Sequence, residues 1–175
     1  MVGSDLDDTF WDFMTPLLIK YNEKYKDNLK CEDISDYDIR LFIKPECTDI
    51  FKEFVDDNFI MNLKPKENAV EVISKINEKH NLVFPTSGHP KTATSRDKKL
   101  SQIFSWYSTK QLIVCQNKQL LKLDYLFDDC FKNVDGSEYK CLLFEQPWNV
   151  KRNNLTENIR RVNNWSNINN IFFGG

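Results

Sequence analysis

The sequence predicts an α/β fold built on a mainly parallel sheet, and three observations carry that reading. First, short apolar runs of strand length recur: "NLVFP" (81–85), "QLIVC" (111–115), "YLF" (125–127) and "KCLLF" (140–144), each rich in β-branched or aromatic residues. Second, helical periodicity fills the segments around them, the alternation that favours parallel strands with helical crossovers. Third, the runs end in polar residues of one kind. "MVGS" is followed by Asp5 and Asp7, "LVFP" by Thr86 and Ser87, and "YLF" by Asp128 and Asp129. Ligands of open α/β sheets sit beyond the carboxyl ends of the strands, so these acids and hydroxyls are expected on one edge. With 175 residues, 41% of them hydrophobic, the chain suits one domain, or one domain with a modest insertion.

Taken in order, the first strand is very short, since only residues 1–4 precede Asp5. Trp11, Met14, Leu17, Leu18, Tyr21 and Tyr25 then recur every three or four residues and predict an amphipathic helix. Residues 28–62 are less regular. Their aromatics (Tyr37, Phe42, Phe51, Phe54 and Phe59) predict short helices and loops. A helix is expected over 67–79, with Ala69, Val70, Ile73 and Ile76 on its buried face. Pro85 removes a ladder donor, so pairing is expected to have ended before it. Thr86 and Ser87 stand ahead of an expected helix start. The strands at 111–115, 125–129 and 140–145 follow, and residues 155–165 are read as a last helix.

Composition excludes several classes. Twenty-four basic and 26 acidic residues give a net charge of −2, which does not suit a nucleic-acid polymer. No apolar run approaches membrane-spanning length, and the N-terminus shows no signal-peptide pattern. Five cysteines (31, 47, 115, 130, 141) form no C-x-x-C pair, and with only His80 and His89 beside them a zinc site is not expected. Free thiols suit a reducing cytoplasm. Neither a G-x-G-x-x-G nor a G-x-x-x-x-G-K-[ST] loop occurs, and G-x-S-x-G is absent. An EF-hand begun at Asp5 would need Gly and Glu where Phe10 and Pro16 stand. An N-cap role explains any one of the acids in "SDLDDT", but not a second acidic pair at another strand end. Carboxylates from two strands, hydroxyls and a lysine match phosphoryl chemistry: magnesium takes oxygen ligands together with substrate phosphate, a carboxylate can be the nucleophile, and cations and donors must surround the transferred group.

The residues also carry a resemblance. "DLDDT" resembles the D-x-D-x-T signature of the haloacid dehalogenase (HAD) superfamily, and Thr86-Ser87, Lys118 and Asp128-Asp129 follow in that superfamily's order. That order differs from response-regulator receivers, in which the lysine follows the other motifs. More narrowly, "NLKPKENAVEVI", "NKQLLKLDYLFDD", "LLFEQPWN" and "RVNNWSNI" resemble segments of the 5′(3′)-deoxyribonucleotidases; the likeness is weakest over 28–48. The resemblance implies a Rossmann-like three-layer core (1–10 and 64–175) with a small helical cap (11–63) inserted after the first strand. It implies a cytoplasmic phosphatase acting on deoxyribonucleoside monophosphates through a phospho-aspartate, with another small phosphate ester or a catalytically silent binding module as alternatives. Asp5 would be the nucleophile and Asp7 the general acid and base. Asp5, the backbone carbonyl of Asp7, and Asp128 would hold Mg²⁺, with Asp129 supporting them. Thr86, Ser87 and Lys118 would bind phosphate; the ten-residue spacing to Asp128 singles out Lys118 over Lys110 or Lys122. Phe13 and Phe54 match positions that contact the nucleoside. Asp8 is expected to start the helix and to have no direct chemistry.

Overall fold

The computed structural model describes residues 1–174. In chain order the elements are β1 (Val2–Ser4), β2 (Trp11–Asp12), α1 (Met14–Tyr25), α2 (Asp57–Asn62), β3 (Lys64–Pro65), α3 (Ala69–Lys79), β4 (Leu82–Thr86), α4 (Ala93–Ile103), β5 (Leu112–Val114), β6 (Tyr125–Asp128), α5 (Phe131–Val134), β7 (Lys140–Phe144), β8 (Ile159–Val162) and α6 (Trp165–Phe173). Six strands form one sheet in the order β5-β4-β1-β6-β7-β8, and every neighbouring pair is parallel. The predicted fold class is therefore the observed one.

The three-residue β1 is the centre of this sheet, with β4 on one side and β6 on the other. Both neighbours are buried through most of their length, as strands covered on two faces must be. Gly3 lets the layers close on the centre. A Cβ there would stand 2.9 Å from Leu123 Cδ1 and 3.2 Å from both Leu126 Cδ1 and Pro85 Cγ. Helices on both faces complete the core. Phe10, Phe84, Phe127, Phe144 and Trp165 pack together at its heart, the Phe127 and Trp165 rings meeting edge-on at 5.7 Å.

Four local expectations are corrected. The helix read from Trp11 begins at Met14, because Trp11 and Asp12 pair antiparallel with Lys64 and Pro65 in a two-stranded ribbon. Val70 is exposed; α3 buries Ala69, Val72, Ile73 and Ile76, and position 70 turns off that stripe by one helical step. Pro85 lies inside β4, paired with Ile113, and the ladder to β5 runs on to Thr86 and Val114. Only the pairing with β1 has stopped before it, at Val83. Finally, residues 155–165 are not a helix. Leu155, Ile159 and Val162 mimic a helical stripe, yet Ile159–Val162 form the edge strand β8 against Cys141–Phe144, and the closing helix starts at Trp165.

The segment between the ribbon's two strands holds α1, several short 3₁₀ turns and α2. Met14, Leu17, Leu18 and Tyr21 are the buried face of α1. They join Ile34, Ile39, Ile50, Phe59 and Ile60 in a hydrophobic cluster continuous with the main core. Among the described residues no helix is long and apolar enough to cross a membrane, and all five cysteines are free.

Candidate active site

Because β4, β1 and β6 are adjacent, their carboxyl ends bring Thr86, Asp5 and Asp128 to one edge of the sheet. The Asp5 amide donates to Phe127 O at 2.8 Å, so the β1–β6 ladder itself fixes where the Asp5 side chain starts. Asp5, Asp128 and Asp129 are all buried, and one carboxylate oxygen of each lies within 4.8 Å of the others.

Such crowding is costly without positive charge. Lys118, wholly buried, supplies some: its Nζ donates to Asp5 Oδ1 and, at 2.7 Å, to Asp128 Oδ2. Even so, burial pushes the Asp5 carboxyl up to about 7, Lys118 countering it while Asp128 and Asp7 add to the rise. Asp129 is also raised, by burial and then by Asp128 and Asp5. Burial opposes the charge of Lys118, but Asp128 and Asp5 outweigh it and hold the ammonium above its ordinary pKa. An all-oxygen cluster with this unrelieved repulsion fits a hard divalent cation.

The remaining bonds sort these acids. Asp128 Oδ1 accepts from Cys130 N at 2.8 Å, and Asn133 Nδ2 donates to both of its oxygens at 3.1 Å. Both Asp129 oxygens are occupied, by Thr9 Oγ1 at 3.3 Å and Trp148 Nε1 at 3.0 Å. Asp7 has partners of its own: Arg96 grips its carboxylate with two bonds, and Trp11 Nε1 donates to Oδ1 at 2.7 Å. Asp8 sits in the left-handed region (φ 55°), buried, and its Oδ1 accepts from Phe13 N and Met14 N, holding the first turn of α1.

Two cavities adjoin this edge. One, of about 260 Å³, is lined by Asp5, Asp7, Thr86, Ser87, Gly88 and Arg96 among others. Within it Thr86 Oγ1 accepts from Gly88 N at 3.1 Å, while the buried Ser87 hydroxyl has no protein partner. Lys118 does not line it; it reaches the site only through Asp5 and Asp128. The other cavity, of about 540 Å³, is walled by Phe13, Met14, Ile39, Phe51, Phe54 and Trp148, with Asp8, Asp38 and Arg40 also on its wall. The Phe13 and Phe54 rings lie 5.0 Å apart, tilted by 58°. Asp7, Tyr37, Phe54 and Asp129 belong to both linings, so the two spaces meet at the acids.

Sequence reasoning did not single out Arg96, Asn133 or Trp148, and it read Tyr37 only as one aromatic of the segment 28–62. The strand-end rule that found the acids reaches Trp148, because "EQPWN" follows β7 on the same edge. There Asn149 Nδ2 donates to Asp129 O at 2.8 Å, and Gln146 Nε2 donates to Asp8 O at 3.0 Å. Arg96 and Tyr37 come from a polar helix and an irregular segment, where no periodicity marks them.

Known proteins resemble the chain along nearly its full length. The family model described as "5′ nucleotidase, deoxy (Pyrimidine), cytosolic type C protein" matches residues 1–173. A 5′(3′)-deoxyribonucleotidase of Clostridium acetobutylicum is 30% identical over 168 residues, covering 94% of this chain and 89% of its own. One from Bacillus subtilis is 24% identical over 170 residues, covering 96% and 95%. Among solved structures, a HAD family hydrolase of Deinococcus radiodurans with bound phosphate and sodium superposes with a TM-score of 0.63 at 10% identity, covering 98% of this chain and 93% of its own. A HAD hydrolase of Bacillus subtilis bound to magnesium gives 0.59 at 13% identity, covering 97% and 96%. The likeness read from "DLDDT" and its companion motifs thus extends along nearly the whole chain, which belongs to the deoxy (pyrimidine), cytosolic type C family of 5′ nucleotidases.

Proposed function

We propose that the protein is a cytoplasmic, Mg²⁺-dependent 5′(3′)-deoxyribonucleotidase that hydrolyses deoxyribonucleoside monophosphates to nucleoside and phosphate. The observation that carries the proposal is the junction of the two cavities: a small space edged by carboxylates and hydroxyls opens beside a larger aromatic one. A phosphate suits the first and a nucleoside the second.

In this reading Asp5 attacks phosphorus and forms a phospho-aspartate, while Asp7 protonates the leaving sugar oxygen. A water then attacks the phospho-Asp5, assisted by Asp7. Thr86 and the unpartnered Ser87 hydroxyl donate to the phosphate, and Lys118 keeps positive charge against Asp5 and Asp128 as the phosphoryl group arrives. Asp5, Asp128 and the backbone carbonyl of Asp7 would hold Mg²⁺, which when bound stabilises negative charge on the phosphoryl oxygens. Asp129, fastened by Thr9 and Trp148, steadies that set from outside. The segment 11–63 acts as the cap, with Phe13 and Phe54 against the nucleoside.

Truncating Phe13 tests the substrate assignment. Phe13→Ala is expected to lower kcat/KM for dUMP or dTMP by roughly tenfold or more, the loss of a stacking contact of about 1–3 kcal/mol. Para-nitrophenyl phosphate has no nucleobase and should lose much less. Equal losses would reduce Phe13 to a packing residue, in keeping with its contact to Phe59 at 5.2 Å.

A further inference from the structure

Arg96 stands on α4, a helix of mostly polar composition, yet it is 1% exposed. Its guanidinium is spent on the site. Nη1 donates to Asp7 Oδ1 at 2.6 Å, Nη2 to Asp7 Oδ2 at 2.9 Å, and Nε to Thr92 Oγ1 at 3.3 Å. Room for it exists because residue 88 is glycine: a Cβ there would lie 2.6–2.7 Å from Nε, Cζ and Nη2. The alternative role, a tether for α4, is filled by neighbours, since Ser95 Oγ bonds Asp57 and Lys99 Nζ donates to Met61 O at 2.8 Å.

The donors on Asp7 are unevenly shared. A carboxylate offers about four lone-pair sites, two on each oxygen. Oδ1 receives both Arg96 Nη1 and Trp11 Nε1, whereas Oδ2 receives Arg96 Nη2 alone. A two-pronged arginine also fixes the plane of the carboxylate, which a single donor does not. Asp7 lines the small cavity beside Asp5, with its side chain 25% exposed.

We infer that Arg96 is a positioning residue for the second half of the reaction, and that its clamp leaves Oδ2 as the atom of Asp7 that accepts the proton of the attacking water. The inference rests on the phospho-Asp5 reading above. In that step the water oxygen bonds to phosphorus, the bond from phosphorus to the Asp5 oxygen breaks, and its electron pair returns to the Asp5 carboxylate. The water's proton passes to Asp7 Oδ2, and phosphate leaves.

The test uses 2,4-dinitrophenyl phosphate with Mg²⁺, because its weakly basic leaving group departs without a proton from Asp7. Loss of the clamp should then slow only hydrolysis of the phosphoenzyme. Arg96→Met is expected to lower kcat by roughly tenfold or more and KM in parallel, keeping kcat/KM within about twofold. Rapid mixing should show a burst of one dinitrophenolate per enzyme before the slow steady state. Arg96→Lys, which keeps the charge but not the fork, should fall between. Gly88→Ala, which displaces the guanidinium without deleting it, should give the same pattern more weakly and carries the test should Arg96→Met not fold. If folded variants lose kcat and kcat/KM together and show no burst, Arg96 only packs α4 and the inference is overturned. Asp7→Asn separates this from failure of the parent reading. With no burst from Asp7→Asn, Asp7 is not the acceptor; with no turnover by the unaltered protein, the phosphatase reading itself falls.

Discussion

Asp5→Asn is expected to fold and to lose phosphatase activity by roughly a thousandfold or more, since an amide is a poor nucleophile and a poor ligand for a hard cation. Folding should survive for a reason visible at Lys118. Its ammonium keeps Asp128 at 2.7 Å when Asp5 is neutral, so no buried charge is left alone. The substitution also removes a carboxylate whose burial already disfavours its charge. Phosphate release, measured beside a thermal melt, checks both halves. Substantial turnover by a folded Asp5→Asn protein would sink the covalent mechanism.

Metal removal should have an effect of similar size. EDTA is expected to abolish turnover and Mg²⁺ to restore it, because one lysine faces the buried acids at the ends of β1 and β6. A cation that binds this assembled cluster, and not the unfolded chain, also stabilises the fold by mass action. At a hundredfold excess over its Kd that amounts to about 2.7 kcal/mol, a rise of several degrees in Tm for a chain of this length. Full activity in chelator, with an unchanged Tm on adding Mg²⁺, would refute the cluster as a metal site.

The chemistry of the site was more legible in the sequence than its supports. Asp5, Thr86 and Asp128 end apolar runs, and parallel strands must bring such ends together, so neighbouring β4, β1 and β6 could be expected to assemble them. Lys118 was found through the family resemblance, its spacing to Asp128 favouring it over Lys110 and Lys122; the start of β6 lies between the two residues. Arg96 follows no such rule. It reaches Asp7 across 89 residues, and only the packing of α4 against the β1 loop reveals the pair. The β8 error has a related cause. Leu155, Ile159 and Val162 are spaced for a helix, and the partner that makes 159–162 a strand, β7, lies well upstream in the chain. Pro85 misled because its ladder with β1 does stop early while its ladder with β5 does not. Tertiary pairing decided each of these, and local pattern carries no record of it.

The most direct test of the central claim is phosphate release by the purified protein, with Mg²⁺, across a panel of deoxyribonucleoside 5′- and 3′-monophosphates, the matching ribonucleotides and simple phosphate esters. Turnover of deoxyribonucleotides, dUMP and dTMP among them, is expected at higher kcat/KM than of simple esters such as para-nitrophenyl phosphate, since in this proposal a nucleoside would occupy the aromatic cavity lined by Asp7 and a simple ester would not. A protein that hydrolyses some other phosphate ester while leaving every deoxynucleotide intact would contradict it.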